Sequence, residues 1–67
     1  MRWVNWKNRL PPYDERILMG SATHDFVEIG IYIDGKFINP DLDHLRRPTV
    51  THWMPLPQPP EELDGTN

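Results

Sequence analysis

A chain of 67 residues with no cysteine, 37% hydrophobic and 25% charged, suits one small domain that no disulfide or thiolate-bound metal can staple. A domain of this size buries only ~60% of the surface that its unfolded chain exposes, so self-association is a serious expectation. The formal net charge of −3 collects at the end: residues 1–60 carry seven basic and seven acidic side chains, and Glu61, Glu62 and Asp64 follow. The basic footprint of a nucleic-acid binder is missing, as are a membrane-spanning apolar run and a signal-peptide core. These features predict one compact domain over 1–60, a flexible acidic tail over 61–67, and a soluble protein of the cytoplasm.

Taken in order, Trp3, Val4, Trp6 and Leu10 precede Pro11-Pro12, which ends any helix before it matures. An extended arm or a single helical turn is expected, pinned to the core by its tryptophans. Tyr13-Asp14-Glu15 reads as a turn, and residues 16–20 as an interior strand with apolar residues on both faces. A polar connector from Gly20 to Asp25 leads into Phe26–Ile33, the clearest strand in the chain. Val27, Ile29, Ile31 and Ile33 alternate with Phe26, Glu28, Gly30 and Tyr32, and the β-branched set is expected to face the core. Asp34-Gly35 is a strong signal for a two-residue hairpin turn. It sets Ile33 opposite Lys36, Tyr32 opposite Phe37 and Ile31 opposite Ile38, with strand 36–39 returning. Tyr32 and Phe37 then form a cross-strand pair on the second face. Gly30 lies on that face too, where a tryptophan ring is the expected occupant.

Asn39-Pro40 could cap one or two helical turns through Leu45, with Arg46-Arg47 in the last turn and Pro48 as the stop; a plain loop fits nearly as well. Residues 49–54 read as a final edge strand that continues extended through Pro55, Leu56 and Pro57. In this reading Trp53 packs inward, and the prolines after it turn over Trp3 or Trp6, so that the two ends of the domain clasp each other. The fold class is small α+β, mainly β: a three- or four-stranded antiparallel β-meander with at most one short helix and a proline-rich extended C-terminal segment.

Chemistry is sparse. His24, His44 and His52 lack metal-ligand spacing, and Asp41-x-Asp43-His44 offers two carboxylates where calcium needs about six oxygens. His52 has no nucleophile or orienting acid nearby in sequence and is expected to hydrogen-bond a backbone group. There is no phosphate loop, catalytic triad order or paired-carboxylate motif. Neither catalysis nor a bound metal or cofactor is expected. Pro57-Gln58-Pro59-Pro60 matches the PxxP pattern of SH3 ligands, but no basic residue flanks it closely; packing on the chain's own tryptophans is the better reading. Aromatic residues dominate interaction hot spots. Trp3, Trp6, Tyr32, Phe37, His52 and Trp53 are therefore the candidate partner-binding residues.

Trp3-Val4 with Arg9-Leu10-Pro11, Ile17-Leu18-Met19, Gly30-Ile31-Tyr32, Asp34-Gly35 with Phe37, and Val50-Thr51-His52-Trp53-Met54-Pro55-Leu56-Pro57 with Pro59-Pro60 carry a resemblance over almost the whole chain. The last block is the most specific. The sequence resembles the phage and prophage domain-of-unknown-function family five-five-one, which includes the C-terminal domain of a lambda-type early-region accessory protein. Longer members precede this domain with a helical, oligomerising segment, which is not expected in this chain. The resemblance implies a phage or prophage accessory protein and brings no catalytic residues. Two functions of different class follow as expectations. One is a non-catalytic interaction module that binds a host bacterial protein or itself and inhibits a host factor by occlusion. The other is a structural homo-oligomerisation domain with no separate ligand.

Overall fold

The computed structural model describes residues 2–57. The expected acidic tail 61–67 and most of the PxxP stretch lie outside the described residues. Five strands form one antiparallel sheet: β1 (Val4–Asn5), β2 (Ile17–Ser21), β3 (Phe26–Ile33), β4 (Lys36–Ile38) and β5 (His52–Pro55). Their spatial order is β1-β5-β2-β3-β4, and no helix occurs among the described residues.

The meander is β2-β3-β4. Its second turn is the two-residue turn expected from Asp34-Gly35: both residues have positive φ, 52° and 72°, which matches the right-handed strand twist. Ile33↔Lys36, Tyr32↔Phe37 and Ile31↔Ile38 are paired as the turn dictates. The first turn, Ala22–Asp25, closes with the Asp25 amide donating to the Ser21 carbonyl (3.0 Å) and the His24 amide to Ser21 Oγ (2.9 Å). Asp25 there also adopts a positive φ, 54°.

The ends of the described chain depart from the expectation. Residues 49–51 are not strand, and β5 lies inside the sheet rather than at its edge, between β1 and β2. The N-terminal arm is the reason. It pairs with β5 through Val4↔Trp53 and Asn5↔His52, so the two ends do clasp, by strand pairing. Pro55 still suits its place because it closes β5, beyond the last β1 pair.

The connection from β4 back to β5 crosses the sheet as a loop. Asn39 behaves as a cap: its carbonyl accepts from the amides of Leu42, Asp43 and His44, and its Oδ1 accepts from Asp41 N. The turn ends at His44, whose φ of 60° is left-handed, so the helical alternative is not realised. Arg46 then bridges Ile38, and the Arg47 amide donates to the Phe37 carbonyl (2.6 Å), which covers the outer edge of β4.

The core lies on one face only. Ile17, Met19, Phe37, Val50 and Trp53 are buried, and Val4, Trp6, Phe26 and Tyr32 pack against them. The cover consists of the Trp6–Pro11 segment and the crossover loop. Trp6 Nε1 donates to the Val50 carbonyl (2.9 Å) and Trp53 Nε1 to the Arg9 carbonyl (2.9 Å). Trp6 meets Phe37 edge-on with centroids 5.9 Å apart, and Tyr32 meets Phe37 at 5.0 Å. Each indole thus buries a large ring while its N–H finds an acceptor.

This placement reverses the expected orientation of β3. The core face holds Phe26, Glu28, Gly30 and Tyr32; the β-branched face is the outer one, with Val27 61% and Ile29 45% exposed. Aromatic rings bury more area per residue than β-branched side chains, and the covering segment brings Trp6 to meet them while β5 contributes Trp53. Gly30 is covered by Met19, not by a tryptophan. The tryptophan over a glycine is Trp3, on the other face, over Gly20.

Candidate functional site

The distinctive surface of this molecule is the open face of its sheet. Strand alternation and the pairing registers assign it row by row. His52 and Gly20 stand beside Val27, Met54 and Leu18 beside Ile29, Ile31 beside Ile38, and Ile33 beside Lys36. Trp3, 43% exposed, lies along the same face, because a side chain at Gly20 would approach Trp3 Cη2 to 3.2 Å. Lys36 is the one charged side chain in these rows. No second layer of secondary structure covers this face among the described residues, although small domains normally bury both sides of a sheet this apolar.

At one end of the face is a hollow of about 380 Å³, lined by Trp3, Gly20, Asp25, Val27 and His52 among others. His52 Nδ1 is 2.7 Å from Thr51 Oγ1, which also accepts from the Ala22 amide at 2.9 Å. Its partner is thus a hydroxyl, not the expected backbone group. At the other end of β3 stands exposed Lys36, across from Ile33.

The six aromatic and histidine candidates divide between the faces. Trp53 and Phe37 are buried, at 3% and 5% exposure, and Trp6 and Tyr32 pack on them. Trp3 and His52 lie on the open face. Sequence reasoning missed Leu18, Val27, Ile29, Ile31 and Met54 as residues of the open face, of which Val27 and Ile29 are exposed and the others half-buried. Gly30 and the Tyr32/Phe37 pair mark one face of β3 as a packed one, but only the distant covering segments leave the β-branched face open.

The strongest electrostatic cluster lies on the core side. Arg47 Nε donates to Glu28 Oε1 (2.7 Å), Nη1 to Asp43 Oδ1 (3.0 Å) and to the Leu45 carbonyl (2.9 Å), and Nη2 to both carboxylates at 3.3 Å. Hydrogen bonding to Arg47 holds the Glu28 and Asp43 carboxyls below their ordinary range and raises the guanidinium in turn. Arg16 makes a second, exposed pair with Asp41, which is likewise lowered by that hydrogen bond. These contacts tie the crossover loop to the sheet, a role the sequence had given to the end of a helix. Among the described residues, no group of three or more His, Cys, Asp or Glu gathers in metal-binding geometry, and no helix is long and apolar enough to cross a membrane.

Comparison with known proteins adds the family. Residues 2–61 match the model of a protein family described as "Protein of unknown function (DUF551)". A protein of Salmonella phage P22, described as an uncharacterized 7.8 kDa protein in the ral-gp17 intergenic region, is 34% identical over 68 residues, spanning 92% of this chain and all of the relative. No solved structure matches. A match that includes every described residue, together with a full-length phage relative, places this protein in the phage-associated DUF551 family of unknown function.

Proposed function

We propose that this chain is a small, non-catalytic protein-interaction module that acts in the cytoplasm of a bacterial host through the open face of its sheet. The observation that supports the reading is the exposure of Val27 and Ile29 on a face made mostly of apolar side chains. Leaving such side chains in water forgoes about 25 cal/mol for every Å² that a partner could cover, and exposed apolar patches of this extent mark interaction surfaces. The sheet edges favour the face over strand addition as the docking mode. β1 has two residues, and β4 is covered by Arg46 and Arg47.

The test compares affinity capture by the parent chain, by Ile29→Lys on the open face, and by Arg16→Ala on an exposed side chain of the loop side. Lysates of infected and uninfected bacteria serve as the source. The reading expects proteins retained by the parent and by Arg16→Ala to be lost with Ile29→Lys. Retention that ignores the open-face change would overturn it. A host protein occluded by this face and a second copy of the chain are the two partners that suit such a surface; the arrangement of charge favours the second copy.

A further inference from the structure

We propose that the open face is covered by a second copy of this chain, packed face to face with β3 running antiparallel over β3 of its partner, about a two-fold axis near Ile29. The proposal rests on the interaction reading above and names its partner. Three observations carry it.

The first is the position of charge. Asp25 immediately precedes β3 and lines the hollow beside Trp3 and Val27. Lys36 is the cross-strand neighbour of Ile33 at the far end. Residue 29 is midway between residues 25 and 33, so an antiparallel two-fold stack brings Lys36 of each copy to the Asp25 end of the other. There its aliphatic stem can reach toward Val27 and its ammonium can face the Asp25 carboxylate from the neighbouring strand. The match occurs twice, as an isologous interface requires. A parallel stack would instead set lysine against lysine.

The second is composition. Apart from His52 and Asn5 beside Val27, the rows between those ends are apolar, with Leu18, Ile29, Ile31 and Met54 at the middle, so self-apposition buries no carboxylate against a carboxylate. The third is extent. Val27 to Ile33 spans about 20 Å, and five strands spaced by about 4.8 Å cover a similar width. Two such faces remove on the order of 1,000 Å² from water, the lower end of what a specific interface needs. A dissociation constant of about 1–100 μM is expected of it.

The experiment is sedimentation velocity across a concentration series with the full chain and three variants: Ile29→Lys, Asp25→Lys, and the double swap Asp25→Lys/Lys36→Asp. A dimer is expected for the parent. Ile29→Lys, which sets two lysines together at the axis, should raise the dissociation constant at least tenfold. Asp25→Lys should weaken the dimer roughly tenfold, because two pairs become repulsive, and the double swap should bring it back within about threefold of the parent. A parent that stays monomeric at about 500 μM, a dimer indifferent to Ile29→Lys, or a double swap that fails to rescue would overturn the proposal.

Should Ile29→Lys fail to fold, Ile29→Cys carries the same test, since the chain has no other cysteine. Packed sheets stand about 10 Å apart, beyond the reach of a disulfide. A short bis-maleimide should therefore couple Ile29→Cys into dimers and leave a Thr23→Cys control uncoupled; the reverse result would overturn the two-fold axis. The two readings fail separately. A monomeric parent that captures a different protein through Ile29 removes the second copy and keeps the interaction face, whereas Ile29→Lys changing neither self-association nor capture removes both.

Discussion

Met19 lies across Gly30 on the core face of the sheet: a Cβ on Gly30 would stand 2.5 Å from Met19 Cε, 2.6 Å from its Sδ and 2.5 Å from the Ile38 carbonyl oxygen. The thioether could shift, but the carbonyl belongs to the β3-β4 hairpin and cannot move without breaking it. Gly30→Ala is therefore expected to destabilise the domain by about 1–3 kcal/mol, the usual cost of overpacking a filled core. Urea denaturation measures it, and an unchanged midpoint would mean that Met19 does not fill this space. Gly35→Ala probes a different cost. Nothing lies within 4 Å of its Cβ position, but its φ of 72° strains an alanine, so a loss of about 1 kcal/mol is expected.

Two tryptophans should behave oppositely. Trp53 is buried between β1 and β2, and its indole N–H is held by the Arg9 carbonyl. Trp53→Ala is expected to cost about 3–5 kcal/mol, a large part of the total stability of a small domain. Trp3→Ala, on the open face, should cost less than about 1 kcal/mol. Chemical denaturation of both variants, at a concentration where the parent is monomeric, separates core from surface; equal losses would put Trp3 in the core.

Acid should loosen the crossover loop. Glu28 is held below its ordinary 4.5 chiefly by its hydrogen bonds from Arg47. A carboxyl lowered by folding stabilises the native state fully above its unfolded value, and that contribution is lost as pH falls through the folded value. The parent should therefore lose melting temperature below about pH 4.5. Asp43 and Asp41, lowered from 3.8 by Arg47 and Arg16, extend the loss to lower pH. Glu28→Gln should flatten the upper part of this profile and lower the neutral-pH melting temperature by about 2–5 °C, a modest figure because the pair is partly exposed. Calorimetry from pH 7 to 2.5 decides it; superimposable profiles would count against the pair.

Substituting the open face should leave the fold intact. Val27→Thr keeps β-branching at an exposed position and is expected to change stability by less than about 0.5 kcal/mol. A loss comparable to that of Trp53→Ala would show that the β-branched face is covered within a single copy.

Local chemistry made part of this fold legible. Asp34-Gly35 permits positive φ at both turn positions, so the hairpin and its Tyr32↔Phe37 register follow from two residues. Phe26–Ile33 alternates over its whole length and is a strand within those bounds. Family membership was legible as well, and the family match spans residues 2–61. Alternation shows only that two faces exist, and both faces of β3 are apolar enough to be the core. The choice between them was made by segments distant in sequence. Trp6 and the crossover loop fold over the aromatic side, Arg47 neutralises Glu28 there, and Met19 fills the space that Gly30 leaves. The place of β5 was decided the same way, since pairing Val4 with Trp53 joins residues 49 positions apart. Contacts that long in sequence depend on loop closure and mutual burial, not on local propensity. The open face is their consequence: once the rings and loops had taken one side of the sheet, the β-branched side had no chain among the described residues to cover it.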